Sequence, residues 1–271
     1  MLIDSASNKK IKLMERLRLR KHRAKEGLFR IEGVRLAEMA AASGWAIRFG
    51  LYTAELVEKE RGRALVEVLQ AKCPLYEISA ALAKKVAATD TPQGIFLVAE
   101  QQKKSLPQMA EHLQQAAARK PLLVVLDGVQ DPGNAGTIIR TADAVGADGV
   151  ILTKGSVDVF SDKTVRATMG SLFHLPVVTD VSAEEVAVFA QAAGCQLLAT
   201  ALDEQAKPHF VVDFRKGSLI AFGNEGGGVS EKLLAAAEKV YIPMYGEAES
   251  LNVGVSSAVV LYEAVRQRHF A

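Results

Sequence analysis

Polar residues suited to ligand binding lie in three separated loops of the second half of the chain. The first loop leads into Asn134 and Arg140, the second carries Glu225 among four glycines, and the third holds Ser250 and Asn252 on either side of a leucine. Arginine can bind an anion through two parallel hydrogen bonds, while carboxylate and carboxamide groups can hold neighbouring donors in place. These residue types indicate a site for a polar or anionic ligand.

Each loop also has a purely structural interpretation, which the residues alone leave open. Asn134 is a good N-cap for the helix that follows. Arg140 lies nearly two turns further along that helix, where it is either a partner of Asn134 on a similar side of the helix or an ordinary surface arginine. Glu225 fits a tight turn with a solvated carboxylate. Capping of the last helix explains either Ser250 or Asn252, but not both.

The glycine-rich loop GNEGGGVS narrows the class of ligand. Glycine permits positive φ and close approach of a ligand, and it costs stability where neither is needed. We therefore expect a ligand to lie against this backbone. The loop matches neither GxGxxG nor GxxxxGK[ST], so the usual dinucleotide-binding and phosphate-loop signatures are missing.

Apolar runs and helical patterns alternate from Pro121 onward, which predicts a mainly parallel sheet with helices on both faces. Loops at the carboxyl ends of such strands are where binding groups collect. The predicted strands are Leu122–Leu126, Gly149–Thr153, Val177–Val178, Gln196–Thr200, Leu219–Phe222 and Val240–Pro243. The predicted helices are Asn134–Val145, Asp162–Phe173, Ser182–Ala193 with a capping box, Ser230–Ala237 and Val253–Arg268.

The sequence pattern of the first part of the chain predicts a smaller α/β domain. Its predicted helices are Ser7–Lys25, Val34–Ser43 and Ala54–Ala71, and its predicted strands are Leu28–Ile31, Ala46–Tyr52, Leu75–Ile78 and Gly94–Ala99. Charge, polarity and a proline in QQKKSLPQ are typical of a linker. We therefore expect domains over residues 1–100 and 121–271, joined by a linker and connecting helix over residues 101–120.

Composition places the chain among globular proteins. Its 271 residues are 49% hydrophobic and 24% charged, with no apolar run of membrane-spanning length and no secretory start. We expect a cytoplasmic protein with no membrane partner. The two cysteines, Cys73 and Cys195, form no CxxC or Cys/His cluster, so neither a disulfide framework nor a metal site is expected.

Positive charge is concentrated at the start of the chain. Residues 1–30 hold ten Lys or Arg and three Asp or Glu, whereas the whole chain carries a net charge of only +2. Such a cluster fits a polyanion such as RNA, and equally a solvated helix face. The candidate RNA-binding residues are Arg16, Arg18, Arg20, Lys21, Arg23 and Arg30, with Lys25 beside them.

Together the three loops resemble the motifs of the SpoU or TrmH family of SPOUT-class RNA ribose 2′-O-methyltransferases. The matching stretches are NAGTIIRTADAVGA, GNEGGGVS with the following IPM, and SLNVGVSSAVVLYEAVRQR, in the family's order. The resemblance spans about Pro121 to Arg268. More weakly, LFRIEGVRLAEMA and ATDTPQGIFLVAE resemble the family's ribosomal-protein-like substrate-binding domain.

The resemblance implies a trefoil knot in the second domain, which alternation of strands and helices does not predict. It also implies S-adenosyl-L-methionine as methyl donor and a homodimer formed through the second domain, with the last helix as candidate interface. The implied catalytic residues are Asn134, Arg140, Glu225, Ser250 and Asn252. The implied cofactor-binding residues are Thr200, Ala201, Gly223, Ile242, Met244 and Leu251.

The implied reaction transfers a methyl group to a ribose 2′-hydroxyl of structured RNA. Because guanidinium stays protonated, we expect Arg140 to hold the target phosphate and stabilise the developing alkoxide, with Asn134 orienting it. Glu225 would shape the side of the pocket that faces the RNA, and Ser250 and Asn252 would hold the third loop and the substrate in place. No metal is required. The family's extra N-terminal domain favours 23S rRNA as the substrate. A tRNA substrate, a catalytically silent RNA-binding relative and an unrelated nucleotide-binding enzyme remain alternatives.

Overall fold

A computed structural model of the chain describes residues 2–115 and 119–270. It divides into two compact units, the first comprising Met1–Gln102 with Asp158–His174 and the second Lys103–Val157 with Leu175–Ala271. The expected linker over residues 101–120 includes 116–118, which lie outside the described residues. Within the described part, no helix is long and apolar enough to cross a membrane.

The second unit is built on a seven-stranded sheet in which every pairing is parallel, as the alternating pattern predicts. The strand order is β10-β12-β9-β11-β6-β7-β8. Its strands are β6 (Leu122–Asp127), β7 (Gly149–Thr153), β8 (Val177–Val181), β9 (Gln196–Thr200), β10 (Lys207–Pro208), β11 (Ser218–Gly223) and β12 (Glu238–Tyr241). Its helices are α7 (Leu106–Gln115), α8 (Pro132–Ala144), α10 (Ala183–Ala192), α11 (Glu231–Ala236) and α12 (Val253–His269).

The central strands are apolar along their whole length because helices cover both faces of the sheet. Every residue of β6, β7 and β11 is buried. The predicted capping box opens α10, where Ser182 and Glu185 each accept a hydrogen bond from the other's backbone amide. Because β12, β9, β11 and β6 are parallel neighbours in the sheet, their carboxyl ends lie side by side at one edge of it.

The first unit holds a five-stranded mixed sheet in the order β1-β4-β3-β5-β2, in which β5 runs antiparallel to both neighbours. Its strands are β1 (Leu2–Ile3), β2 (Leu28–Glu32), β3 (Ile47–Tyr52), β4 (Leu75–Ile78) and β5 (Ile95–Glu100). Its helices are α1 (Lys9–Arg16), α2 (Arg20–Glu26), α3 (Val34–Ala42), α4 (Ala54–Glu58), α5 (Glu60–Gln70), α6 (Ala80–Val86) and α9 (Asp162–Ala167).

Three predicted helices are broken in the structure. The basic helix ends at Arg16 and restarts at Arg20, and the helix predicted over Ala54–Ala71 breaks at Lys59, whose backbone is extended. The helix predicted over Asp162–Phe173 stops at Ala167, because Met169 and Gly170 adopt positive φ, and a short 3₁₀ turn follows. Helix α6 and strand β1 have no counterpart in the predicted elements.

The segment Asp158–His174 leaves the second unit between β7 and β8 and packs within the first. Phe160 lies 5.1 Å from Phe29 between ring centroids, and Phe173 lies 5.3 Å from Trp45. Sequence pattern assigns this segment to residues 121–271, because its apolar partners lie more than 110 residues earlier in the chain. Only the folded contacts reveal where it belongs.

Candidate functional site

The three predicted loops meet at the carboxyl edge of the second unit's sheet. Strands β6 and β11 pair in register, so Asp127 lies opposite Gly223 at their ends. Strand β9 ends next to β11 at Thr200, and β12 ends next to β9 at Tyr241. The topology therefore brings the loops together although up to about 120 residues separate them along the chain.

A cavity of about 560 Å³ lies at this edge of the sheet. All six predicted cofactor-binding residues line it, namely Thr200, Ala201, Gly223, Ile242, Met244 and Leu251. Three of the five predicted catalytic residues line it as well, namely Glu225, Ser250 and Asn252. The cavity is large enough for a ligand of nucleoside size and offers both apolar and polar walls.

One carboxylate joins the second loop to the first. Glu225 accepts hydrogen bonds from the backbone amides of Gln130 and Asp131, at 3.3 and 3.2 Å, and from the side-chain amide of Asn134 at 2.9 Å. Burial alone would raise the pKa of Glu225, but the hydrogen bonds from Asn134, from the Glu225 backbone and from the first loop outweigh it and lower that pKa. Glu225 is therefore a charged anchor for the first loop.

The third loop is attached through the same asparagine. The side-chain amide of Asn252 donates to Oδ1 of Asn134 at 2.9 Å, while Oδ1 of Asn252 accepts from the backbone amides of Gly254 and Val255. Asn252 thus caps α12 and contacts the first loop at once. We call the chain Glu225–Asn134–Asn252 the three-loop network.

The prediction that Asn134 caps α8 is wrong. The helix begins at Pro132, and Asp131 is its N-cap, accepting from the Asn134 backbone amide at 2.8 Å. Proline is favoured at the first helical position because its missing N–H has no intrahelical partner there. The Asn134 side chain, relieved of capping, is available for the three-loop network.

Arg140 lies away from the cavity lining, on the exposed side of α8. Residues six apart on a helix point about 120° away from each other, so Asn134 and Arg140 do not share a side. Asn134 is occupied by Glu225 and Asn252 and forms no hydrogen bond with Arg140 among the described residues. Asn134 therefore does not orient Arg140 by direct contact, and Arg140 faces solvent.

The fold of the glycine-rich loop accounts for two of its four glycines. A Cβ on Gly223 would lie 2.0 Å from the Gly228 carbonyl carbon, because the loop turns back on itself there. Asn224 and Gly228 exchange backbone hydrogen bonds of 2.9 Å, and Gly228 has a φ of +67°. Close backbone packing thus requires glycine at position 223 and a positive φ favours it at position 228, and both residues also line the cavity where a ligand is expected.

Two loop residues that sequence reasoning missed hold this edge in place. Asp127 is buried, accepts from the Ser230 backbone amide at 2.7 Å and accepts from the Thr153 hydroxyl at 2.8 Å. Asn224 donates to the Gly128 carbonyl at 2.8 Å. Their signal in the sequence is a polar residue at the end of an apolar strand or directly after it.

The last helix packs closely on α8, as its small residues predict. A Cβ on Gly254 would lie 3.1 Å from the Thr137 methyl group, and the Ser257 hydroxyl bonds back to the Gly254 carbonyl at 2.7 Å. A larger residue at position 254 would therefore push α12 away from α8. Ser250 lines the cavity and is exposed.

In the first unit, four of the six predicted RNA-binding residues are exposed, namely Arg16, Arg18, Arg20 and Lys21. Arg18 also donates to the carbonyls of Lys85 and Ala87, at 2.7 and 2.8 Å, at the end of α6.

The other two, Arg23 and Arg30, are buried, which corrects their assignment as phosphate contacts. Arg23 pairs with Asp158 at 2.6 Å and donates to two backbone carbonyls. Arg30 is 2% exposed and lies 3.2 Å from Asp162. Burial lowers the pKa of Arg30 and raises that of Asp162, while the attraction between the two opposes both changes. Both arginines hold the Asp158–His174 segment.

Comparison with known proteins identifies the family of the chain. A model of the SpoU rRNA Methylase family matches residues 121–262, and a model of an MRM3-like substrate binding domain matches residues 8–97. The chain is 38% identical over 261 residues to the 23S rRNA (guanosine(2553)-2′-O)-methyltransferase of Bacillus subtilis, covering 96% of this chain and 97% of that protein.

Solved structures show the same fold. An AdoMet-bound rRNA methyltransferase from Sinorhizobium meliloti superposes with a TM-score of 0.85 at 32% identity, covering 100% of this chain and 99% of that one. The SpoU methyltransferase AviRb from Streptomyces viridochromogenes, in complex with AdoMet, gives a TM-score of 0.83 at 33% identity, covering 96% and 99%. The chain belongs to the SpoU rRNA methylase family.

Proposed function

We propose that this protein transfers a methyl group from S-adenosylmethionine to a ribose 2′-hydroxyl of 23S rRNA. Relatives that match nearly the whole chain are named as 23S rRNA 2′-O-methyltransferases, and related structures hold AdoMet. The observation that carries the proposal is the cavity lined by the second and third predicted loops, to which the three-loop network joins the first loop. A tRNA substrate is not favoured, because these whole-length relatives are named for rRNA.

The cavity fits the proposed methyl donor by its chemistry. Ile242 and Leu251 offer apolar walls for an adenine ring, while Thr200, Ser250 and Asn252 supply polar groups around them. S-adenosylmethionine, when bound, supplies a methyl group from a positively charged sulfonium. The residues around it need only hold it with that group open to the RNA.

Arg140 is proposed to bind RNA rather than the methyl donor. Arg140 is exposed on α8, whose first turn carries Asn134, the hydrogen-bond partner of the cavity-lining Glu225. An arginine stays protonated, so it acts by holding the target phosphate and stabilising the negative charge that develops on the 2′-oxygen. The proton leaves to that phosphate or to water.

Asn134 and Glu225 are proposed as positioning residues in this reaction. Their hydrogen bonds fix the first loop against the second, which sets where α8 presents Arg140. Asn252 extends the same constraint to the third loop, which carries Ser250 and Leu251 at the cavity. The alignment of the ribose hydroxyl with the methyl donor depends on these hydrogen bonds, because a small misplacement of the reacting atoms slows methyl transfer strongly.

The first unit is proposed to bind the RNA. Arg16, Arg20 and Lys21 are exposed and cluster in the sequence around α1 and α2, so they can contact phosphates. The buried Arg23 and Arg30 take no part in this surface. With ribosomal RNA as substrate, we propose a cytoplasmic location.

A trefoil knot and a homodimer complete the proposal. Strand β11 inserts between β9 and β6, both of which precede it in the chain, an order that supports the knot implied by the family resemblance. On α12, Val255 and Tyr262 are 50% and 54% exposed and lie two turns apart on one side of the helix. Exposed apolar residues spaced in this way support the last helix as the dimer interface.

The reaction can be tested by the chemistry of its product. Purified protein is incubated with an unmodified 23S rRNA transcript and tritiated S-adenosylmethionine, with tRNA as a parallel substrate. Because a 2′-O-methyl group removes the hydroxyl that attacks the neighbouring phosphodiester in alkali, we expect the label in an alkali-resistant dinucleotide. Label in a single nucleotide, preferential transfer to tRNA or no transfer at all would contradict the proposal.

A further inference from the structure

A second large cavity lies wholly within the first unit, which contributes nothing to the cofactor cavity. Its volume is about 660 Å³, and it is formed by the start of α3, the junction of α4 and α5, one side of α6 and the loop before β5. We call it the first-unit pocket. Its lining includes Leu56, Lys59, Ala80, Lys84, Asp90 and Pro92.

The loop over residues 88–94 is fastened at both ends, so the pocket is preformed. At its start, the buried Glu32 accepts from the Ala88 backbone amide at 2.7 Å and from the Thr89 hydroxyl. At its end, Gln93 accepts from the Val34 backbone amide at 2.8 Å, and the Gly94 carbonyl accepts from the Thr53 amide at 2.9 Å. Because this loop is already ordered, a ligand that binds here loses little free energy to ordering it.

Tight packing keeps the other side of the pocket in place. A Cβ on Gly62 would lie 2.0 Å from the Leu56 carbonyl oxygen, and one on Gly94 would lie 2.4 Å from the Thr53 hydroxyl. The two glycines therefore let α4, α5 and the loop approach more closely than any side chain allows. The shape of the pocket is set by backbone contacts.

The pocket lining holds three basic residues, Lys59, Arg61 and Lys84, against two acidic ones, Glu55 and Asp90, besides apolar walls; Arg61 is paired with Glu38. Lys59 and Lys84 are exposed at its lining, and neither forms an ion pair with any described residue. Leu56 and Pro92 provide apolar surface, while Asp90 can accept hydrogen bonds from a base edge. Phosphate bound by lysine, a base against apolar walls and a carboxylate on the base edge together describe recognition of an unstacked nucleotide.

We propose that the first-unit pocket binds one unstacked nucleotide of the RNA substrate, distinct from the nucleotide that is methylated. Lys59 and Lys84 hold its phosphate, and Asp90 contacts its base. The inference rests on the proposed function, since it takes RNA as the substrate. It adds a second point of recognition, in the unit that carries none of the predicted catalytic residues.

Neighbouring residues of α6 offer matched variants for the test. Lys84 lines the pocket, whereas Lys85 does not and instead lies 3.5 Å from Glu15. Ala80 lines the pocket and Ala81 does not, although both are exposed in the first turn of the same helix. Each pair therefore makes the same change in charge on the same helix, inside and outside the pocket.

Affinity for an unmodified 23S rRNA transcript is measured by filter binding over a range of salt concentrations. We expect Lys84→Gln to lower the slope of log Kd against log salt by about 0.7, as for one lost phosphate contact on a single strand, and Lys85→Gln to leave it unchanged. Ala80→Glu is expected to weaken binding about tenfold or more, because a carboxylate would face the phosphate, and Ala81→Glu far less. Calorimetry should show unchanged S-adenosylmethionine binding in all four variants.

The outcomes separate this inference from the proposed function. If the wild-type protein methylates 23S rRNA but both members of each pair bind RNA alike, the pocket assignment is overturned and the methyltransferase proposal stands. If wild-type protein neither binds nor methylates the transcript, both are overturned. Micromolar binding of a free nucleoside 5′-monophosphate, with RNA affinity unaffected by Lys84→Gln and Ala80→Glu, would assign the pocket to a free nucleotide instead.

Discussion

At the residue scale, the site depends on a few side chains that each serve two loops. Asn134 accepts from Asn252 while it donates to Glu225, so the loss of one side chain disturbs three loops at once. Arg140 differs, because it touches none of them among the described residues and faces solvent. Substitutions at these positions should therefore have distinct effects.

Arg140→Lys should abolish most turnover and leave S-adenosylmethionine affinity unchanged. Lysine keeps the positive charge but cannot form the paired hydrogen bonds of a guanidinium, so we expect kcat to fall about 100-fold or more. Tritium transfer measures kcat, and calorimetry measures donor affinity. Arg215→Lys, at an exposed arginine of the same unit outside the cavity, serves as the control. Equal turnover in Arg140→Lys and wild type would refute the phosphate-holding role.

Glu225→Gln should destabilise the protein only where Glu225 is ionised. The hydrogen bonds that lower the Glu225 pKa stabilise the fold above its unfolded value of 4.5, and this contribution is lost as the pH falls through the lowered pKa. We expect a difference in unfolding free energy of about 1 kcal/mol at pH 7, shrinking below about pH 4.5. Urea denaturation across this range is the measurement. Glu231→Gln is the control, and a difference independent of pH would contradict the prediction.

At the element scale, turn geometry decides where helices begin and loops close. The α8 start was misplaced because Asp131 and Asn134 are both good caps, and Pro132 between them settles the choice. The strands were located because fully buried apolar runs carry a strong signal. The break at Met169 and Gly170 has no such signal, since Gly170 packs against Met39, about 130 residues earlier in the chain. At Lys59 the chain turns so that Gly62 packs on the Leu56 backbone.

Gly223→Ala should collapse the site, whereas Gly226→Ala should not. A Cβ at position 223 would lie 2.0 Å from backbone, while one at position 226 would meet nothing closer than Asn224 Oδ1 at 3.6 Å. We expect Gly223→Ala to cost about 1–3 kcal/mol of unfolding free energy and to weaken S-adenosylmethionine binding. Urea denaturation and calorimetry test this. Similar behaviour of the two variants would show that the loop adapts and that its close packing is unimportant.

At the scale of the whole molecule, sequence reasoning located the parallel sheet and grouped the cavity residues, but misjudged two buried arginines. Arg23 and Arg30 look like members of a basic cluster, and their acidic neighbours Asp158 and Asp162 lie about 130 residues away in the chain. A count of charges along a short stretch of sequence does not detect ion pairs between residues so far apart in the chain. Because its partners are equally far away in the chain, the sequence also does not reveal that the Asp158–His174 segment belongs to the first unit.

The proposed homodimer gives a prediction at this scale. Val255→Glu combined with Tyr262→Glu should yield a monomer, because two carboxylates would have to be buried in the interface. Light scattering coupled to size-exclusion chromatography measures the mass. Val188→Glu, at a valine of the same unit that is 67% exposed on α10, should leave the dimer intact. A wild-type protein that is monomeric at micromolar concentration would contradict the proposal.

A crystal structure of the protein with bound S-adenosylmethionine tests the central claim most directly. The account predicts the methyl donor inside the cavity of about 560 Å³, against Gly223, Ile242 and Leu251, with the three-loop network intact beside it. Electron density for the donor at any other place on the chain would contradict the account.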